Sequence, residues 1–304
     1  MQQPLFVSFD PIYAHPLPEG HRFPMLKYEL IPEQLMYEGV ITAANLHAPG
    51  YLPKEWALYT HCNEYLDHLL HQTLDARSMR KIGFPLSAEL VDREMRLCQG
   101  TIDCAEHVLQ HGGIALNVAG GTHHAFYNRG EGFCLLNDFA VTVNYLLQKQ
   151  KIKKALIVDL DVHQGNGTAA LFESNDRVFT FSMHGEHNYP FHKEKSDLDI
   201  PLAEGMDDNT YLQLLQQHLP QLLDSEKPDL VCYLSGVDVL QTDKFGKLGL
   251  THEGCRHRDE IVLAHCTQRE IPVAVAMGGG YSPDVNDIVK AHCNTFKVAG
   301  EMMS

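Results

Sequence analysis

Six short apolar runs alternate with longer helical stretches along this chain, and that alternation limits its fold more than any other feature. The runs are Leu5–Phe9, Gly113–Val118, Ala155–Asp161, Val178–Ser182, Leu230–Leu234 and Pro272–Met277. Helical patterns are predicted over Asp92–Gln110, Leu136–Lys149, Asn209–Asp224, Thr251–Gln268 and Pro283–Val298. Strands of this type separated by helices read as a parallel sheet covered on both faces. The expectation is an α/β fold with a mostly parallel open sheet and helices on both faces. No repeat, low-complexity tract or Gly/Ser linker divides the chain, so one domain over residues 1–304 is expected.

Polar residues of a chemical kind cluster just after these runs. In open α/β sheets, ligands bind beyond the carboxyl ends of the strands. Four segments therefore point to one site: His123 and His124, the run ending in Asp159-Leu-Asp-Val-His163, Asp238, and Gly278-Gly-Gly-Tyr281. Alternate residues of a strand share a face, so Asp159, Asp161 and His163 can converge where the strand meets its loop. Carboxylate oxygens and an imidazole nitrogen suit a catalytic divalent metal, which takes three protein ligands and keeps one position open. Taken alone, an Asp after a strand is more often a cap. Asp238, following a strand parallel to that of Asp161, is nevertheless the best candidate for a third ligand beside Asp161 and His163.

The adjacent histidines of Gly120-Gly-Thr-His-His124 have the near-neutral pKa that proton transfer requires. A base of this kind works best when its far nitrogen is oriented by a hydrogen-bond partner. The candidates are Asp159, which would make one histidine more basic, and Asn166, which would leave the other less basic. Asn166 between two glycines reads equally well as a left-handed turn residue. Tyr281, after three glycines, is placed to donate to a developing oxyanion. That Gly-rich segment lacks the Lys-Ser/Thr of a P-loop, so a phosphate role is not expected.

Composition narrows the classes further. With 39 acidic against 24 basic residues the net charge is −15, and no basic cluster follows a phosphate backbone, so direct nucleic-acid binding is not expected. No run approaches the roughly 18 apolar residues of a membrane span, and no secretory signal is visible. The eight cysteines are scattered without a C-x-x-C pair, which reads as reduced thiols in a cytoplasmic protein.

Five motifs in order, Gly120-Gly-Thr-His-His-Ala125, Gly132-Phe-Cys-Leu-Leu-Asn-Asp138, Asp159-Leu-Asp-Val-His-Gln-Gly-Asn-Gly167, Gly236-Val-Asp238 and Gly278-Gly-Gly-Tyr281, resemble the histone deacetylase family and its arginase/deacetylase fold. The resemblance runs from about Phe6 to Tyr281. It implies metal ligation by Asp161, His163 and Asp238, His124 as principal general base and acid, His123 as a second histidine held by Asp159, and Tyr281 as oxyanion donor. It implies that Gly132 and Phe133 form one wall of a tunnel for the acyl-lysine stem, with Tyr189 opposite. Ser182, with the backbone of Asp159–His163, resembles the family's monovalent-cation site for potassium or sodium. Asn166 and Gln164, together with the segment Tyr13-Ala-His15…His21-Arg-Phe-Pro-Met-Leu-Lys27, are similar to class IV histone deacetylase and its bacterial relatives. Arg22 is expected either at the foot of the pocket or, nearly as readily, as a surface residue.

The implied activity is metal-dependent removal of an acetyl or longer acyl group from lysine side chains, with zinc or alternatively ferrous iron. The implied partner is an acyl-lysine protein or peptide; oligomeric state is left open. An acetylpolyamine hydrolase and a non-catalytic acyl-lysine binder are the competing readings, the second weakened because every expected position is filled.

Overall fold

The computed structural model describes residues 5–303. Eight strands form one sheet: β1 (Phe6–Ser8), β2 (Leu46–His47), β3 (Ile114–Asn117), β4 (Ala155–Asp159), β5 (Val178–Gly185), β6 (Leu198–Leu202), β7 (Leu230–Gly236) and β8 (Val273–Gly278). Their spatial order is β2-β1-β3-β8-β7-β4-β5-β6, and every pairing is parallel. Parallel pairing puts all the carboxyl ends on one edge, and the flanking helices supply the crossovers that such pairs require.

Every residue of β3, β4, β7 and β8 is buried, which explains their continuous apolar character. They form four consecutive neighbours, β3-β8-β7-β4, in the middle of the sheet. After β3 the chain leaves to build β4 three places away and returns later to fill the two-strand gap. The ends of the four motif-bearing strands are thereby brought side by side. Asp159 pairs in register with Leu234, and Gly236 with Gly278.

Helix boundaries follow local caps. The helix expected from Asp92 begins earlier, spanning Ala88–His111, because Ser87 accepts a hydrogen bond from the Leu90 amide at 3.1 Å. Asn137 caps Asp138–Gln148 through the Ala140 amide at 3.0 Å, and Thr251 caps His252–Gln268 through Gly254 at 3.0 Å. The sequence pattern misses β2, β6 and the helix Lys27–Tyr37. The two strands are sheet edges with mixed burial, β6 containing Pro201, and show no apolar run. The helix carries an internal proline, Pro32, which reads as a breaker.

Candidate active site

Asp161, His163 and Asp238 offer ligand atoms that all lie within 4.8 Å of one another. The His163 Nδ1 is 3.0 Å from Asp161 Oδ1 and 3.2 Å from Asp238 Oδ2. Asp161 and His163 stand just beyond β4 and Asp238 just beyond β7, with both carboxylates buried. Burial and then the charge of Asp161 push the Asp238 carboxyl up to about 7. Burial opposes charge on His163 too, yet its hydrogen bonds to Asp161 and Asp238 raise it to about 10. The group of two acids and an imidazole thus holds protons where a cation would satisfy it, the chemistry expected of a divalent-metal donor set.

The two neighbouring histidines are held differently. His123 Nδ1 lies 2.7 Å from Asp159 Oδ2, and His124 Nδ1 lies 2.7 Å from Asn166 Oδ1. Asn166 Oδ1 also accepts from the Gly167 amide at 3.0 Å, which identifies that atom as the oxygen and leaves His124 Nδ1 as the donor. That leaves the lone pair on Nε2 of a ring that lines the same cavity as Asp161 and His163. Burial works against a charge on His123, but the Asp159 carboxylate outweighs it and raises the pKa. Burial, followed by the positive charges of His123 and His163, drives His124 well below the ordinary range. Two rings with centroids 4.1 Å apart are therefore biased toward opposite protonation states. Asn166 opens the helix Asn166–Phe172 and is not a left-handed turn residue.

Tyr281 follows β8, partly buried, its ring 6.5 Å from His163 and 6.1 Å from Phe133. Among the described residues its hydroxyl has no hydrogen-bond partner. Phe133 and Tyr189 both line the outer groove above His124, and the Tyr189 hydroxyl donates to Glu131 at 3.0 Å. Gly132 lies between them with φ +54°, and a Cβ there would sit 2.7 Å from the His124 ring. Only glycine lets this wall approach the histidine so closely. Ser182 pairs in register with Asp159, and its hydroxyl is 2.9 Å from His184 Nδ1.

Of the two readings of Arg22, the surface one holds and the foot of the pocket does not. Arg22 lies at the mouth, with its guanidinium 5.1 Å from the Phe133 ring centroid and 5.5 Å from that of Phe245. The foot is occupied by Lys27, whose Nζ donates to the Gly279 carbonyl at 2.5 Å. Burial lowers this ammonium to about 8, partly offset by Asp238.

Other positioning groups escaped the sequence reading. Asp243 accepts from the Tyr281 amide at 2.6 Å and from the Phe245 and Gly246 amides at 2.8 and 2.7 Å, tying the tyrosine loop to the mouth. Asp138 accepts from the Thr122 amide and hydroxyl, both at 2.8 Å, and pins the turn that carries the histidine pair. Arg258, fully buried, donates to the carbonyls of Gly236 and Leu160, joining the two loops that bear the acid–imidazole cluster. No separate sequence signal marked Arg258, which lies within the charged run Arg256-His-Arg-Asp-Glu260 of a helix with one buried face.

A family model described as the histone deacetylase domain matches residues 21–296. The chain is 44% identical to an uncharacterised protein of a Picosynechococcus species, over 97% of this chain and 98% of that one. It is 27% identical to histone deacetylase 2 of Arabidopsis thaliana, covering 86% of this chain and 70% of the relative. It is also 27% identical to the acetoin utilization protein AcuC of Staphylococcus xylosus, over 91% of this chain and 77% of that protein. The fold is shared with a crystal structure of an HDAC homolog from Aquifex aeolicus at a TM-score of 0.85 and 24% identity, covering 99% of this chain and 84% of the other.

Proposed function

Because the chain belongs to the histone deacetylase family, we propose that it is a zinc-dependent amidohydrolase that removes acetyl groups from lysine side chains. The observation that carries this reading is the Asp161–His163–Asp238 cluster beside His124, which lines the same cavity and is held through Nδ1 by Asn166, with burial biasing it toward the neutral form. A divalent ion held by these three residues supplies Lewis-acid polarisation of the amide carbonyl and acidifies the attacking water. Zinc suits the donor set, with ferrous iron as the alternative. Potassium or sodium beside Ser182 and the Asp159–His163 backbone is part of the same proposal.

His124 takes the proton of the attacking water at Nε2 and returns it to the departing lysine amine. Asn166, neutral, orients His124 without raising its basicity. His123, drawn toward the cation by Asp159, stabilises the negative charge that builds beside it. Tyr281 donates its hydroxyl to the carbonyl oxygen as it becomes an oxyanion. Phe133 and Tyr189 exclude water from the lysine stem.

The inner cavity supports a short acyl group. Its volume is about 50 Å³, against ~10–15 Å³ for one water-sized probe, room for the few atoms of an acetyl group. All eight cysteines are free, in keeping with a reducing, cytoplasmic location. No helix among the described residues is long and apolar enough to cross a membrane.

Two measurements test this reading. Incubated with acyl-lysine peptides of increasing acyl length, the purified protein is expected to cleave acetyl-lysine fastest and to lose activity on treatment with a chelator, recovering when zinc is restored. Hydrolysis that survives complete metal removal would rule the mechanism out. Replacing Tyr281 by phenylalanine is expected to lower kcat by about 10²-fold, the effect of deleting one oxyanion donor, with metal content unchanged. A Tyr281→Phe variant with parental kcat would remove the tyrosine from the mechanism.

A further inference from the structure

Cations surround the mouth of the groove in a chain whose net charge is −15. Arg22, Lys81 and Lys247 line it, and among the described residues its lining holds no carboxylate. Two of the three already have partners: Lys81 is 3.6 Å from Glu131, and Lys247 is 2.6 Å from Glu204. Arg22 is different. Its guanidinium sits against Phe133 and Phe245, and no described carboxylate lies within ion-pair distance. Phe133 is the wall of the tunnel itself, so the guanidinium is anchored where a lysine stem would emerge.

A planar guanidinium braced by two aromatic faces keeps its N–H edges available, and these match a carboxylate in a bidentate fork. We infer that Arg22 recognises an acidic side chain next to the acyl-lysine, so that the preferred substrate is a peptide or protein segment in which the modified lysine is flanked by Asp or Glu. This rests on the amidohydrolase reading and specifies its substrate. The overall negative charge does not oppose it, because screening over about 8 Å at physiological salt leaves the unpaired Arg22 guanidinium as the uncompensated charge that a flanking residue meets. The same unpaired guanidinium disfavours acetylated polyamines, whose remaining amines are positive.

Three acetyl-lysine peptides, identical except for flanking Glu, Gln or Lys, separate the outcomes. For the parent, kcat/KM is expected to be about tenfold higher with Glu than with Lys flanks at physiological ionic strength, expressed in KM and shrinking as further salt is added. The Glu/Lys ratio should fall several-fold in Arg22→Gln, reverse in Arg22→Glu and be only partly retained in Arg22→Lys, which keeps the charge but loses the planar fork; melting temperatures report whether each variant is folded. Fluorescence anisotropy of the same peptides, labelled, supplies the binding ratio independently of turnover. Equal preference for Glu and Lys flanks in the parent, or a ratio that Arg22→Gln and Arg22→Glu leave unchanged, overturns the inference. If no peptide is hydrolysed but the Glu-flanked one binds more tightly through Arg22, the inference stands and the amidohydrolase reading fails. Hydrolysis of all three without preference has the reverse meaning.

Discussion

Replacing Asp238 by asparagine is expected to abolish hydrolysis by abolishing metal retention. Asp238 is fully buried, its Oδ1 accepting from the Val162 amide at 2.9 Å and its Oδ2 facing His163. Asparagine preserves the shape but removes one of the two negative charges available to a cation. Elemental analysis of the purified variant should find well below one divalent ion per chain, and activity should fall beyond detection. In the parent, added zinc should raise the melting temperature, because a ligand that binds only the native state stabilises it; in Asp238→Asn that increment should vanish.

The metal-free proteins should differ in the opposite sense. Burial and Asp161 raise the folded Asp238 carboxyl from its ordinary 3.8 to about 7. A group whose pKa is raised on folding contributes stability that is complete below its unfolded value and lost as pH rises through the folded one. Metal-free parent should therefore lose stability between about pH 4 and 7, a loss that Asp238→Asn lacks. A variant that binds zinc with parental stoichiometry would remove Asp238 from the ligand set.

His124→Ala is expected to lower kcat by up to about 10⁴-fold while leaving metal content intact, the range associated with losing a general base. His124 is not one of the three clustered ligands, and its Nδ1 is already engaged by Asn166 at 2.7 Å. The loss should therefore appear in kcat more than in KM. The parent's pH profile carries a related sign. Burial, with His123 and His163, keeps His124 unprotonated well below histidine's ordinary 6.5. Activity should accordingly persist below that value and decline only as the base finally takes a proton. Parental kcat in His124→Ala, with metal present, would assign proton transfer elsewhere.

The chemistry was legible in the chain because it is local. Asp159 ends β4 and Asp161 and His163 follow it within four residues, in the loop rather than on the strand the alternation suggested, and His123 and His124 occupy one turn, so closeness along the chain sorts them into a shared neighbourhood. The continuous apolar runs of β3, β4, β7 and β8 likewise announced buried parallel strands. Short edge strands such as β2 and β6 did not, since two to five residues of mixed burial carry no periodic signal.

What the chain order concealed is which distant groups meet. The sheet order β3-β8-β7-β4 inserts two late strands between two early ones, and this is what sets Asp238 and Tyr281 beside the histidine pair. Arg258 acts on Leu160 and Gly236 from a helix far along the sequence, Asp243 ties Tyr281 to the Phe245 loop, and Lys27 takes the foot of the pocket while Arg22, five residues earlier, reaches the mouth. Residue type and spacing along a strand determine what chemistry a segment can offer. Burial, charge partnership and access are properties of non-local packing, so strand order and side-chain direction decide which of those offers is used.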